Sequence, residues 1–279
     1  MFSIERSEYP FDPLNKQGYW GNATSTLDWC EPDYVVVFRL TLGFLALYSA
    51  IQVKLETREH SGTLALVVIG MGSWLFHMTL LYSTQLCDEL PMIYGTCLCL
   101  YNVLTLYDKH SKKSIAGLVA YSVVITAVYV ALRIPLIFQF SYALLALVFA
   151  IIPIRQTFAL KSKHPKDVKI LIRMYCFNLS MFLLAFVCWN IDNNVCDHLR
   201  AWRDTVPWYL GMFSQMHGWW HMLTGLGCYG QIVHSRYLRC LVKGIPVRLV
   251  FIGPYPTLVP KEEDLEKQGS FTMDKKPFN

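Results

Sequence analysis

Residues 62–82 read GTLALVVIGMGSWLFHMTLLY, twenty-one residues without a formal charge and with one histidine, His77, towards the far end. A hydrocarbon core about 30 Å thick takes roughly 20 helical residues to cross, so this stretch has the length of one crossing. Six further runs of that order lie at 35–53, 88–107, 114–132, 134–154, 168–191 and 208–233. Only 16% of the 279 residues are charged, against about 25% in an ordinary soluble domain. Too little polar sequence remains to cover seven apolar helices as a water-soluble core. The pattern predicts an all-α, seven-transmembrane helix bundle.

Basic residues in the connections set the expected orientation. With the N-terminus outside, the inner connections hold Lys54 and Arg58, then Lys109, Lys112 and Lys113, then Arg155, Lys161, Lys163 and Lys166. The tail adds eight more, from Arg236 and Arg239 to Lys276. The outer side keeps only Arg6, Lys16, Arg133, Arg200 and Arg203. The N-terminus is therefore expected in the lumen and the C-terminus in the cytosol. The net charge of +5 is accounted for by the cytosolic loops and calls for no nucleic acid; no obligate protein partner is implied. Three parts are expected: a lumenal segment (1–34), the bundle (35–233) and a cytosolic tail (234–279). The tail beyond Gly253 is rich in proline and charge and is expected to be unstructured. Residues 1–33 contain no apolar h-region, so the first run serves as the targeting signal.

Most of the nine cysteines fall inside the runs as small apolar residues. Cys30 and Cys196 fall in outer segments, where disulfides persist, and form a candidate pair. Asn22-Ala-Thr24 is a glycosylation sequon on the outer side, whereas the sequon at Asn178 lies within a run and is unusable.

Ionisable residues at membrane depth are costly and mark function by default. Ser73 and His77 are four apart and share a helical face. Asp88-Glu89 opens the third run, a short hairpin away. His217 and His221, again four apart, point the same way and can chelate one ion. At 1.5 Å per residue, His77 lies about 8 Å below the outer end of its run and His217 about 14 Å below the start of its own. The two depths allow convergence in the lumenal half. Three histidines leave a tetrahedral zinc with one open position, the catalytic rather than the structural arrangement. Zinc lowers the pKa of bound water towards about 7. Asp88 could orient that water or take its proton, and Ser73 could donate to an oxyanion. Hydrolysis of an amide or ester of a lipid fits this set. The plainer reading is a polar knot that ties three helices together. Asp28-Trp-Cys-Glu31-Pro-Asp33 gathers three carboxylates that could bind calcium, although a solvated acidic segment is the simpler reading of those residues alone.

The motifs Gly18-Tyr-Trp-Gly21, Ser25-Thr-Leu-Asp-Trp-Cys-Glu31, Gly70-Met-Gly-Ser-Trp-Leu-Phe-His-Met-Thr79, Asp88-Glu-Leu-Pro-Met-Ile-Tyr94, Trp189-Asn-Ile-Asp-Asn193 and His217-Gly-Trp-Trp-His-Met-Leu-Thr-Gly225 closely resemble those of the alkaline ceramidases. These are seven-helix intramembrane amidases that cleave ceramide to sphingosine and a fatty acid. The resemblance implies zinc on His77, His217 and His221, with Asp88 activating water and Ser73 steadying the oxyanion. It implies a Cys30–Cys196 disulfide and a regulatory calcium on Asp28, the Trp29 carbonyl, Glu31 and Asp33. It further implies an endoplasmic reticulum or Golgi membrane and activity at neutral to alkaline pH. The likeness breaks at the first run. The family's acidic residue there falls on Leu42, and the segment looks shortened, so calcium regulation is expected to be weaker. Two other readings remain open on the residues: a lipid sensor with a structural zinc, and a catalytically impaired relative.

Overall fold

The structure is a computed structural model that describes residues 17–18, 21–27, 29–30, 57–107, 111–252 and 255–260. The first run lies outside the described residues, as do Asp28, Glu31, Asp33 and the tail from 261. After a minimal hairpin, β1 (Gln17–Gly18) and β2 (Gly21–Asn22), come five long helices. They are α1 (Thr57–Thr79), α2 (Tyr82–Leu104), α3 (Lys112–Leu132), α4 (Pro135–Ala159) and α5 (Pro165–Asn194). Two short helices follow, α6 (Cys196–Thr205) and α7 (Trp208–Gly211), then a 3-10 turn (Met212–Ser214) and the long α8 (Met216–Lys243). A last hairpin pairs β3 (Val247–Ile252) with β4 (Tyr255–Pro260).

Four of these helices are long and apolar enough to cross a membrane: α1 from His60, α3, α4 and α5. Their outer faces are bare hydrocarbon; Phe140 is 74% exposed and Val123 61%. On α3 only Tyr129 is buried. Such a surface suits lipid and not water. Local chemistry sets the ends. Ser111 accepts a hydrogen bond from the Ser114 amide at the start of α3. Prolines open α4 and α5, where their missing amide costs nothing. Gly244, at φ 65°, ends α8 in the left-handed region.

Close backbone approach holds the bundle together. A Cβ on Gly72 would strike the carbonyl of Cys87, and one on Gly95 would meet Ala65. These contacts clamp α1 against α2. On the other side Gly227 and Gly230 of α8 admit Asn178 of α5. At the end where α8 finishes, Arg239 is buried and donates to the carbonyls of Asn102, Thr105 and Leu106 at 2.6, 3.1 and 3.4 Å. It satisfies the terminal carbonyls of α2. Arg236 is also buried and donates to Thr63. The sequence reading counted both arginines as tail charges, and the structure places them inside the helix packing.

Three boundaries differ from expectation. Asp88 does not open its helix, because α2 starts six residues earlier at Tyr82, after a two-residue turn at Leu80 and Leu81. The polar Thr84 and Gln85 that looked like loop are satisfied within the fold, Gln85 by Thr26, Glu89 and Tyr129. The run 208–233 is not one helix. It breaks at Gln215, and α8 then continues ten residues past 233. The tail forms part of the fold over 234–252 and 255–260: Val247 and Leu258 of the hairpin join a core with Tyr229, Val233, Tyr237 and Leu238, and Tyr229 donates to the Pro256 carbonyl at 2.7 Å.

Candidate metal centre

The end of α1, the start of α8 and a strap from the N-terminal segment meet at one end of the bundle. The strap lies over the α1–α2 turn. The amides of Thr24 and Ser25 both donate to the Leu80 carbonyl, at 3.1 and 3.0 Å, and the Thr26 amide donates to Gln85 Oε1 at 2.8 Å. This positions Trp29 and Cys30, both buried, above the helix ends.

His77 stands two residues before the end of α1, and His217 and His221 occupy the first two turns of α8. The depth drawn from the sequence for His217 was too great, because the helix begins at Met216. The histidines therefore converge at the mouth of the bundle. Their ligand atoms lie within 4.8 Å of one another. His77 Nε2 is 2.8 Å from His221 Nε2 and 3.4 Å from His217 Nε2. A tetrahedral zinc with nitrogens at 2.0–2.1 Å holds ligand pairs about 3.3 Å apart; the 2.8 and 3.4 Å spacings about His77 lie near that value, while the group as a whole spans up to 4.8 Å. Three imidazole nitrogens directed at one region can hold a metal ion. The residues fit the metal.

Trp29 roofs the centre. Its ring stacks on His217 with centroids 3.8 Å apart and planes 18° apart, and it lies 5.9 Å from His77. Cys30 is disulfide-bonded to Cys196 at the start of α6, Cα to Cα 5.2 Å. Arg203 of α6 donates to the Cys30 carbonyl and to Ser214 Oγ, both at 2.9 Å.

Asp192, fully buried near the end of α5, joins these parts. Its carboxylate accepts the Cys30 amide at 3.2 Å. Asp192 thus ties the N-terminal strap to the end of α5. The sequence reading assigned Asp192 no role because the sixth run stopped at 191. An acid one residue past an apolar run, inside a recognisable motif, was the available signal.

Ser73 and Asp88 are buried, at 2% and 6% exposure. The α1 backbone touches α2 at Gly72 against Cys87 and Asp88, so both residues sit at the α1–α2 seam, with Ser73 one turn before His77. Glu89, which the sequence left without a role, accepts from Gln85 Nε2 at 3.1 Å and from the Tyr129 hydroxyl.

Beyond the centre lies a largely apolar cavity of about 140 Å³. It begins at Thr224, three residues past His221, and is walled by Ala65, Ile69, Phe149 and Phe182. Glycines 62, 95 and 227 give it room.

The Ceramidase family model matches residues 21–256. The chain is 39% identical to alkaline ceramidase 3 of Mus musculus over 88% of its own length and 96% of that protein. It is 32% identical to alkaline ceramidase YPC1 of Saccharomyces cerevisiae, covering 89% and 87% of the two chains. An alkaline ceramidase of Arabidopsis thaliana is 24% identical over 85% and 93%. This chain belongs to the alkaline ceramidase family of hydrolases.

Proposed function

We propose that the chain is a seven-span membrane amidase that hydrolyses ceramide to sphingosine and a fatty acid, with zinc on His77, His217 and His221. The observation that carries this reading is the convergence of three imidazoles within 4.8 Å next to a largely apolar cavity. A zinc ion held there supplies Lewis acidity and makes water nucleophilic at neutral pH. The protein does the rest. The cavity takes a hydrocarbon chain and aligns the amide with the histidine end of α8. Asp88 holds the attacking water and takes its proton. The water oxygen adds to the carbonyl carbon while Ser73 Oγ donates to the oxyanion. The C–N bond then breaks, and the proton on Asp88 passes to the departing amine. Trp29 and the strap keep bulk water off the centre.

The N-terminus and the centre face the lumen in this reading, as the distribution of basic residues indicates, in an endoplasmic reticulum or Golgi membrane. Calcium on Asp28, Trp29, Glu31 and Asp33 would act through the strap, because Trp29, one of these four residues, stacks on His217. Leu42 in place of an acid weakens that regulation.

The test is zinc content by elemental analysis together with sphingosine release from ceramide, with and without calcium, on the full chain. His217→Ala should lose both zinc and turnover. Retention of both overturns the catalytic assignment.

A further inference from the structure

The face of α8 that carries the histidines continues into the cavity. His217, His221, Thr224, Cys228 and Gln231 follow one another at steps of four and three, a single helical stripe. Thr224 and Gln231 line the cavity about 4.5 and 15 Å beyond His221, at 1.5 Å per residue. From the opposite wall Asn178 of α5 reaches the same level, where a Cβ on Gly230 would collide with its carboxamide.

These three polar residues are 3%, 9% and 4% exposed for Thr224, Gln231 and Asn178. Thr224 Oγ1, Gln231 Nε2 and Asn178 Nδ2 have no hydrogen-bond partner among the described residues. One buried polar atom without a partner is costly, and native interiors hold few of them. Three in one otherwise apolar cavity make a site that still lacks its complement. Two are obligate N–H donors and the third is a hydroxyl, so the complement is an oxygen acceptor. A plain alkyl chain cannot supply one.

We propose that Asn178, Thr224 and Gln231 form a polar subsite within the chain cavity that binds a hydroxyl group carried partway along a lipid chain. The subsite makes the enzyme favour mid-chain-hydroxylated ceramides over unsubstituted ones of equal length. This rests on the amidase reading given above. The hydroxyl can sit on the acyl chain or on the long-chain base. A site built for a hydroxyl discriminates against the chain that lacks it, because its own donors stay unpaired.

The test uses the full chain in lipid nanodiscs and two series of ceramides, hydroxylated at successive mid-chain positions of either chain and matched to unsubstituted parents. One position in one series should show kcat/KM about 5- to 20-fold above its parent, and the responding series identifies the chain that enters. Thr224→Val, of nearly equal shape, and Asn178→Leu should bring that ratio towards one. Thr224→Val keeps the test valid if Asn178→Leu fails to fold. A second readout is displacement of a fluorescent fatty acid by hydroxylated and plain free fatty acids and long-chain bases, which requires no turnover. Ratios near one in both readouts, or ratios unmoved by Thr224→Val and a folded Asn178→Leu, overturn the subsite and assign the three groups to bound water. Selective displacement by a hydroxylated lipid with no hydrolysis of any ceramide upholds the subsite and overturns the amidase reading.

Discussion

The indole of Trp29 lies flat on the imidazole of His217, centroids 3.8 Å apart. A residue of the N-terminal strap is thereby in direct contact with a residue of the three-histidine cluster. Aromatic pairs contribute roughly 0.5–1.5 kcal/mol beyond burial. Trp29→Ala should weaken zinc retention about 2- to 10-fold, by that same increment, and Trp29→Phe by less. Competition against a chromophoric chelator measures the difference. Equal affinity in all three proteins would mean that the stack contributes nothing to the centre.

Asp192 carries more. Asp192→Ala leaves the buried amide of Cys30 without its acceptor and cuts the strap from α5. Buried groups stripped of a partner cost about 1–3 kcal/mol each, so the melting temperature should fall by several degrees. Asp192→Asn keeps one carbonyl acceptor and should fall less. Thermal unfolding in detergent, scored by tryptophan fluorescence, decides the matter; coincident melts for all three proteins would refute a stabilising tie between Asp192 and the strap.

Zinc removal gives a signed pH dependence. Each histidine must be neutral to bind, so protons compete with the ion and affinity rises with pH. It should level off once all three imidazoles are neutral and, at lower pH, fall with a slope approaching about three log units per pH unit. Zinc at 100 times its dissociation constant should raise stability by about 2.7 kcal/mol over the chelated protein. Zinc titrations between pH 5 and 8 test the slope, and a flat profile would remove the three histidines from the ligand set.

Gly72 is the tightest point of the α1–α2 seam, where a side chain would run into the Cys87 carbonyl. Gly72→Ala should cost about 1–3 kcal/mol, as overpacking does, and should lower turnover further by moving Ser73 and His77 off the seam. Gly117→Ala, with nothing within 4 Å of the added carbon, is the matched control and should gain slightly in helix propensity. Comparing melts and ceramide turnover for the pair checks both statements.

The histidines were legible because helical spacing alone sets His217 and His221 on one face, and their chemistry restricts what they can hold. The apolar runs were legible because spanning a bilayer imposes length and composition. Hydropathy could not find the break at Gln215, since Trp208-Tyr-Leu-Gly-Met-Phe213 is as apolar as a crossing although it forms short turns. Nor could it start α2 at Tyr82, because Gln85 looks like loop until Thr26 and Tyr129 arrive from elsewhere in the chain. Asp192 escaped for the same reason: the amide it satisfies comes from residue 30. The terminal hairpin was hidden by Pro256 and Pro260, which read as disorder but are tolerated in edge strands.

That hairpin changes what can be removed from the chain. A shortened version ending at Lys243 would look like the trimming of a loose end. It would instead strip Val247 and Leu258 from a shared core with Tyr229, Val233 and Tyr237, and take away the Pro256 carbonyl that receives the Tyr229 hydroxyl. The helix that bears two of the three histidines would then be uncovered at its opposite end, and a fault in the metal centre could originate far from the histidines themselves.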